Sequence, residues 1–287
     1  MLGEFLALLA SFCWALSAIL YKKALEHERY ILVNLLRSLF ASIFLGLILV
    51  IMPYQLLFLS RNEFILLVFA ALIGPVIGDT LYFIGLKKIG VSRTQSISSS
   101  YPLYSMLLAA AFLHENITFT IFIGALLIVV GIILLTPIKN EGYNLNFLIA
   151  TPVLAGFFWS IALVTFKLVL NNNFINPIFA AFINRIATLP FLFFTAIAVK
   201  EFNQARKLTR AEIIFIVVGG VLGLGLGGMF VFLSLSLTTA SKAIPLSSIS
   251  PFFTLILAFF YAKEKLEAKI IIGTMLVVTG VFLLTLY

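Results

Sequence analysis

Two charged residues lie deep inside apolar segments, where an ionised group needs a partner. Asp79 lies roughly 12 Å inside its segment, and Arg37 enters the preceding segment from the same face to a depth of roughly 10 Å. A carboxylate and a guanidinium at comparable depth can pair, which offsets part of the cost of burying either charge. We therefore predict that Asp79 and Arg37 form an ion pair. Its role, as a fixed structural link or as a site of coupling or gating, stays open at this point.

A second buried arginine, Arg185, has no such acid. It follows Asn184, and in the internal alignment described below the position that matches Asp79 is Gly228. An arginine in this setting can extend to the membrane surface, bond to helix carbonyls, or meet an anionic group of a substrate. We predict that Asn184 and Arg185 line a substrate cavity, with extension to the surface as the alternative.

Two segments, 96–102 and 245–251, combine small hydroxyls with proline. Proline removes a backbone donor from a helix, and nearby hydroxyls can bond the freed carbonyls or line water. Such weakened helices at matching positions are typical of transporter sites, although serine-mediated helix packing around a kink is the alternative. The residues concerned are Ser98, Ser99, Tyr101, Ser247 and Ser248 as cavity residues, and Pro102 and Pro251 as helix kinks.

Aromatic residues supply the remaining candidates for a cavity wall. Trp14 and Trp159 lie inside apolar segments and not at their ends, where membrane tryptophans are usual, and Tyr82 lies one helical turn from Asp79. We predict that they line the cavity, with ordinary packing as the alternative reading. The sequence has no pair of acids and no nucleophile beside a base, and its two histidines have no partner at metal-ligand spacing. It therefore predicts no catalytic residue, no metal site and no cofactor.

The composition places these residues in a membrane protein. Hydrophobic residues make up 62% of the 287 positions and charged residues 10%, and the mean hydropathy is +1.18. A soluble domain has about 25% charged residues. The net charge of +8 comes from Lys and Arg scattered through short connections, which indicates contacts with lipid headgroups and not a nucleic-acid site.

Apolar runs long enough to cross a bilayer as helices recur along the whole chain. Their limits predict ten spans joined by short connections, and the first run is read as a retained span because it has no basic leader. The predicted spans are 3–22, 31–52, 63–86, 92–113, 117–136, 147–169, 176–199, 212–236, 241–262 and 269–286.

An internal repeat organises these spans. Residues 63–135 align without a gap on residues 212–284, with matches among Gly, Pro, Ser and Glu that chance does not produce in so apolar a chain. Small shifts extend the match upstream, where Trp14 aligns with Trp159 and Arg37 with Arg185. The predicted units are 1–138 and 147–287, joined by a linker at 139–146.

Each unit holds five predicted spans, so the second begins on the opposite face of the membrane. The predicted fold is therefore an all-α integral membrane protein with ten transmembrane helices in two inverted five-helix repeats, an arrangement typical of alternating-access transporters. Most of the 19 basic residues lie in the connections of one face, and the opposite face has only Arg61, Lys167 and Lys242. The basic residues alone place the richer face in the cytoplasm and both termini outside.

The ordered, doubled pattern of Trp, Arg, Pro, Glu and Gly resembles the EamA type of the drug/metabolite transporter superfamily. The resemblance covers nearly the whole chain and implies secondary transport of small organic solutes, such as amino acids, metabolites or drugs, from a cavity between the halves. It also implies that both termini are cytoplasmic, which conflicts with the distribution of basic residues. The residues that support it are Trp14, Lys22, Arg37, Leu86, Lys87, Ser99, Pro102, Glu115, Gly124 and Gly131, with Trp159, Arg185, Pro251, Glu264, Gly273 and Gly280 in the second copy.

The sequence therefore favours a multi-pass carrier in a prokaryotic plasma membrane, with a small organic solute and membrane lipids as its partners. Asp79 is the predicted site of coupling if a proton or another ion drives transport. A membrane scaffold or regulator and an intramembrane lipid-modifying enzyme are the alternatives. Substrate identity, direction of transport, coupling ion and oligomeric state, including a homodimer, stay open.

Overall fold

The computed structural model describes residues 1–25, 29–52, 59–89, 91–135, 145–171, 174–262 and 268–286. Within these residues the regular structure is helical, and no strand occurs. A short 3-10 helix, Phe202–Lys207, precedes the helix that begins at Arg210. The helices are α1 (Leu2–Ala24), α2 (Tyr30–Ile51), α3 (Arg61–Lys88), α4 (Val91–Ser98), α5 (Tyr101–Phe112), α6 (Phe119–Leu135), α7 (Leu145–Leu170), α8 (Pro177–Ala198), α9 (Arg210–Leu237), α10 (Ala240–Ser247), α11 (Ser250–Ala262) and α12 (Ala268–Leu286).

Six of the described helices, α1, α2, α3, α7, α8 and α9, are long and apolar enough to cross a membrane. Large apolar side chains such as Val50, Phe119 and Phe194 lie exposed on the outside of the bundle, where lipid can cover them. The all-helical membrane class is thus confirmed. The predicted spans 92–113 and 241–262 are each divided into two helices. The predicted linker 139–146 lies outside the described residues as far as position 144, and its last two residues belong to α7.

The internal repeat reappears in the helix boundaries. α3 and α9 begin at Arg61 and Arg210, which are 149 positions apart, and both helices widen into a π-helical turn at matching positions, Leu72–Gly78 and Val221–Gly227. The same offset separates the starts of α4 and α10 and those of α5 and α11. Both copies of the sequence therefore fold into the same succession of helices.

Matching capping boxes fix the starts of α3 and α9. Ser60 and Thr209 each accept a hydrogen bond from the amide three residues on, and Glu63 and Glu212 bond back to the amides of the capping residues. Each box satisfies two donors that the first turn of a helix leaves free. This local chemistry sets the register of the two helices that line the centre of the molecule.

Each half inserts its first helix into the other half. α1 packs on α9, α10 and α11, whereas α7 packs on α3, α4 and α5, and α2 packs along α8. The apolar core contains residues of both halves, such as Leu67 and Phe232, and the rings of Phe166 and Phe232 lie tilted against each other with centroids 4.4 Å apart. Residues of both halves therefore meet at the centre of the bundle.

Glycines allow α6 and α12 to pack at backbone contact. A Cβ atom built on Gly280 would lie 2.5 Å from the carbonyl oxygen of Gly124, and one built on Gly131 would lie 2.7 Å from the carbonyl oxygen of Gly273. Small residues at such spacing are the usual means of close helix association in a membrane.

We expect Gly280→Ala to destabilise the protein and Gly228→Ala to leave its stability unchanged or higher. Alanine favours a helix over glycine by about 1 kcal/mol, but at position 280 overpacking against backbone atoms opposes this with about 1–3 kcal/mol. A Cβ atom on Gly228 has no neighbour within 4 Å, so only the helix preference acts there. The apparent Tm of the two variants in detergent measures the difference, and equal shifts would contradict the close contact.

Candidate functional site

A cavity of about 140 Å³ lies between the two halves. Its wall comes from α1 to α5 of the first half and from α7, α8, α9 and α11 of the second. An apolar cavity of about 150 Å³ in another protein holds benzene, so the volume suits a compact solute with roughly one ring or its equivalent. Nine of the predicted residues line it: Trp14, Arg37, Asp79, Tyr82, Ser98, Ser99, Tyr101, Trp159 and Arg185.

Corresponding faces of α1 and α7 form opposite parts of the wall. Trp14, Ser17 and Tyr21 follow one another at helical spacing, and Trp159, Ala162 and Phe166 repeat that spacing. The sequence analysis identified only the two tryptophans. The others could have been found by reading one and two helical turns on from each tryptophan along the same face.

The structure brings Arg37 and Asp79 into contact on α2 and α3. The Nη2 atom of Arg37 donates to Oδ2 of Asp79, and its Nε atom donates to the side-chain oxygen of Asn34 at 3.0 Å. The guanidinium carbon also lies 4.8 Å and 4.3 Å from the ring centroids of Tyr21 and Phe83. Ionic, hydrogen-bonded and cation-π contacts together hold this arginine in place.

Both tryptophans donate a hydrogen bond from one half to the other. The indole nitrogen of Trp159 donates to Oδ1 of Asp79 at 2.8 Å, and that of Trp14 donates to the carbonyl oxygen of Gly223 at 3.0 Å. Each bond runs from the first helix of one half to the third helix of the other. Asp79 therefore accepts from Arg37 with one oxygen and from Trp159 with the other, and it joins the halves.

The second half lacks this arrangement. Arg185 is 6% exposed and lines the cavity, and its Nη1 atom has no hydrogen-bond partner. Gly228, in the place of Asp79, also lines the cavity and faces open space. The two halves thus differ by one carboxylate at the cavity wall.

Three predicted cavity residues lie behind the wall. Asn184 donates to the carbonyl oxygen of Leu67, Ser248 donates to that of Pro245, and the hydroxyl of Ser247 bonds that of Tyr101 at 3.2 Å. They are not part of the cavity lining, because helix carbonyls and a neighbouring tyrosine engage the amide nitrogen of Asn184 and the two serine hydroxyls inside the bundle.

The two serine and proline segments interrupt their helices. α4 ends at Ser98 and α5 begins at Tyr101, so Pro102 lies in the first turn of a new helix, where its missing N–H costs nothing. Pro251 has the same place in α11. Ser98 and Ser100 donate to carbonyls of the preceding turn, which compensates for the interruption. Each predicted kink is therefore a break between two helices.

Charged residues of both halves also meet where α9 ends and α10 begins. Glu115 accepts hydrogen bonds from the amides of Ala240 and Ser241 at 2.7 and 2.8 Å. Lys167 donates to the carbonyl oxygens of Leu235 and Thr238 at 2.8 and 2.9 Å. An anion at the start of a helix and a cation at the end of one are both favourable. We call Glu115 and Lys167 the α9–α10 latch.

A comparison with protein families decides the classification. Residues 1–136 and 146–286 both match the EamA-like transporter family. The chain belongs to this family. The resemblance inferred from the sequence is thereby confirmed, and with the apolar helices it makes this EamA-like protein a multi-pass integral membrane protein of the transporter class.

Relatives of this EamA-like protein occur in prokaryotes. An uncharacterized transporter of Archaeoglobus fulgidus is 26% identical over 286 residues, which cover 100% of this chain and 99% of the relative. One of Methanothermobacter thermautotrophicus is 24% identical over 79% of this chain and 66% of its own length. A solved crystal structure shares the fold with a TM-score of 0.80, at 16% identity, over 99% of this chain and 96% of its own.

Proposed function

We propose that this EamA-like protein is a secondary active transporter that moves a small organic solute by alternating access. The observation that supports this most is the central cavity, whose wall comes from both halves. Trp14 and Trp159 line this wall, and each donates a hydrogen bond to the other half. A solute in this cavity touches both halves at once. A change in the angle between the halves therefore changes the face from which the solute can leave.

The topology that we propose has five crossings in each half. The interrupted pairs α4 with α5 and α10 with α11 each count as one crossing, and the odd number inverts the second half relative to the first. Such interrupted helices are tolerated inside a membrane where they line a cavity. The cavity wall includes both Ser98 at the end of α4 and Ser250 at the start of α11.

Asp79 is the proposed coupling site. A protonated carboxyl keeps fewer acceptor positions than a carboxylate, so a proton on Asp79 breaks or weakens its bond to Arg37 or to Trp159. The Trp159 bond joins the halves. Protonation would in this way alter the contact on which the movement of the halves depends.

Counterflow in reconstituted vesicles tests the proposed function. Vesicles loaded with an unlabelled solute receive a tracer of the same solute outside, over amino acids, carboxylates, sugars, nucleosides and organic cations. We expect the protein to accelerate entry of one class and a Gly228→Trp variant to lose this, because the new side chain fills the cavity. A scaffold would produce no counterflow with any class, and an enzyme would convert the solute to a product.

A further inference from the structure

The charged groups of the cavity do not balance. Of the described residues that line it, Arg37, Arg185 and Asp79 are charged. Asp79 is paired with Arg37, and its second oxygen accepts from Trp159. Arg185 forms no ion pair with the described residues and its Nη1 atom has no hydrogen-bond partner. The wall therefore has one net positive charge, and a buried net charge is costly.

The internal repeat indicates where a counter-ion fits. On the first half, the Asp79 carboxylate reaches from α3 to Arg37 on α2. On the second half, α8 with Arg185 and the part of α9 that begins at Gly228 are in contact, but Gly228 has no side chain and a Cβ atom there would face open space. The second half thus has the arginine and the room, and lacks the carboxylate.

We propose that this site binds the carboxylate of a compact monoanionic solute, which bonds to Arg185 in the space beside Gly228. This inference rests on the proposed transport function and names its substrate class. The solute supplies from outside the group that the protein supplies itself at Asp79 in the other half.

One negative charge suits the site better than two or a zwitterion. A single carboxylate brings the occupied cavity to neutrality, whereas a phosphate monoester has about −1.5 to −2 charges at pH 7. The ammonium of an amino acid would add a positive charge to a wall that already contains Arg37 and Arg185, and Asp79, the one carboxylate among the described lining residues, is paired with Arg37. The rings of Phe166 and Phe232 in the same wall suit an apolar body next to the carboxylate.

Tryptophan fluorescence reports binding at this cavity without requiring transport. The chain has two tryptophans, and both Trp14 and Trp159 line the cavity. We expect propanoate, isovalerate or cyclohexanecarboxylate to change the fluorescence of the purified protein saturably. The matching amides should bind at least about 10-fold more weakly, as for the loss of a charge-assisted hydrogen bond. Valine, which adds an ammonium group to isovalerate, should also bind at least about 10-fold more weakly, because it leaves the occupied cavity with a net positive charge. No saturable change with any of the three carboxylates, or equal binding of the amides, would overturn the proposal.

Matched variants locate the carboxylate. Arg185→Gln should weaken binding by about 10- to 100-fold, and Arg185→Lys, which keeps the charge, by less. Gly228→Asp places a fixed carboxylate in the space and should abolish binding, whereas Gly228→Asn, of the same size and neutral, should weaken it less. Equal effects of Asp and Asn at this position would overturn the assignment. The comparison at position 228 remains informative even if the Arg185→Gln variant does not fold.

The binding assay and counterflow separate the two proposals. If carboxylates bind as described but show no counterflow, the transport proposal fails and the site assignment stands. If a neutral or cationic solute shows counterflow that is insensitive to Arg185→Gln, transport stands and the assignment fails.

Discussion

Replacing Asp79 by Asn should lower the stability of the protein by about 3–5 kcal/mol, as expected when one partner of a buried ion pair is removed. Arg37 is 4% exposed and would lose the anionic partner of its Nη2 atom. The amide can still accept from Trp159 or from Arg37, but it has no charge to balance the guanidinium. The apparent Tm in detergent measures the loss.

A double-mutant cycle isolates the pair from other effects of the substitution. Arg37→Gln should also destabilise the protein, because it leaves the Asp79 carboxylate without its cation. The double variant contains neither charge, and its loss should be smaller than the sum of the single losses. Additive losses would show that the contact contributes nothing specific.

The same variants test coupling. If protonation of Asp79 drives transport, Asp79→Asn abolishes the response of counterflow or uptake to a pH gradient. The double variant provides the same test in a protein without a buried unpaired charge, should the single variant be too unstable to reconstitute. A pH-gradient response that persists in either variant would exclude Asp79 as the proton site.

Sequence reasoning predicted the contact between Arg37 and Asp79 because depth along a helix follows from residue count. The same counting, applied to the repeat, predicted that the two halves differ at Gly228. Both features depend on one dimension, the distance along a helix axis, which a sequence contains directly.

Features that depend on rotation and on packing between halves were not predictable in this way. Trp159 was recognised as a cavity residue, but its bond to Asp79 requires α7 to pack against the helices of the first half, which the sequence does not reveal. Ser247 and Ser248 were placed at the cavity from their residue type, whereas the turn before α11 directs their hydroxyls to carbonyls and to Tyr101. The α9–α10 latch joins residues more than 60 positions apart and left no local pattern.

Replacing Lys167 by Met should favour the state in which the cavity is accessible from the face of the α9–α10 latch. The variant loses two hydrogen bonds from an ammonium group to the carbonyls of Leu235 and Thr238. A hydrogen bond to a charged group contributes about 1.5–3 kcal/mol, so the loss of even one of the two should shift the equilibrium between closed and open states by about 10- to 100-fold. Glu115→Gln should shift it in the same direction, because it weakens the bonds to the first amides of α10.

Cysteine labelling measures this shift. The native chain has one cysteine, Cys13, which is buried, so a Cys13→Ser background with Ser250→Cys places a single thiol in the cavity wall. An impermeant maleimide applied from the latch face should react faster in the Lys167→Met variant, and more slowly when applied from the opposite face. Each rate is compared with that of the same thiol in the otherwise unchanged protein.

Lys22 supplies the matched control, because the repeat aligns it with Lys167 and the structure leaves it exposed. Lys22→Met removes the same charge at the equivalent place in the other half, where the side chain is exposed. It should not accelerate labelling from the latch face. Equal acceleration by both substitutions would mean that loss of positive charge, and not release of the latch, changes access to the cavity. Acceleration by Lys167→Met alone would show that the contacts of the latch limit access to the cavity from that face.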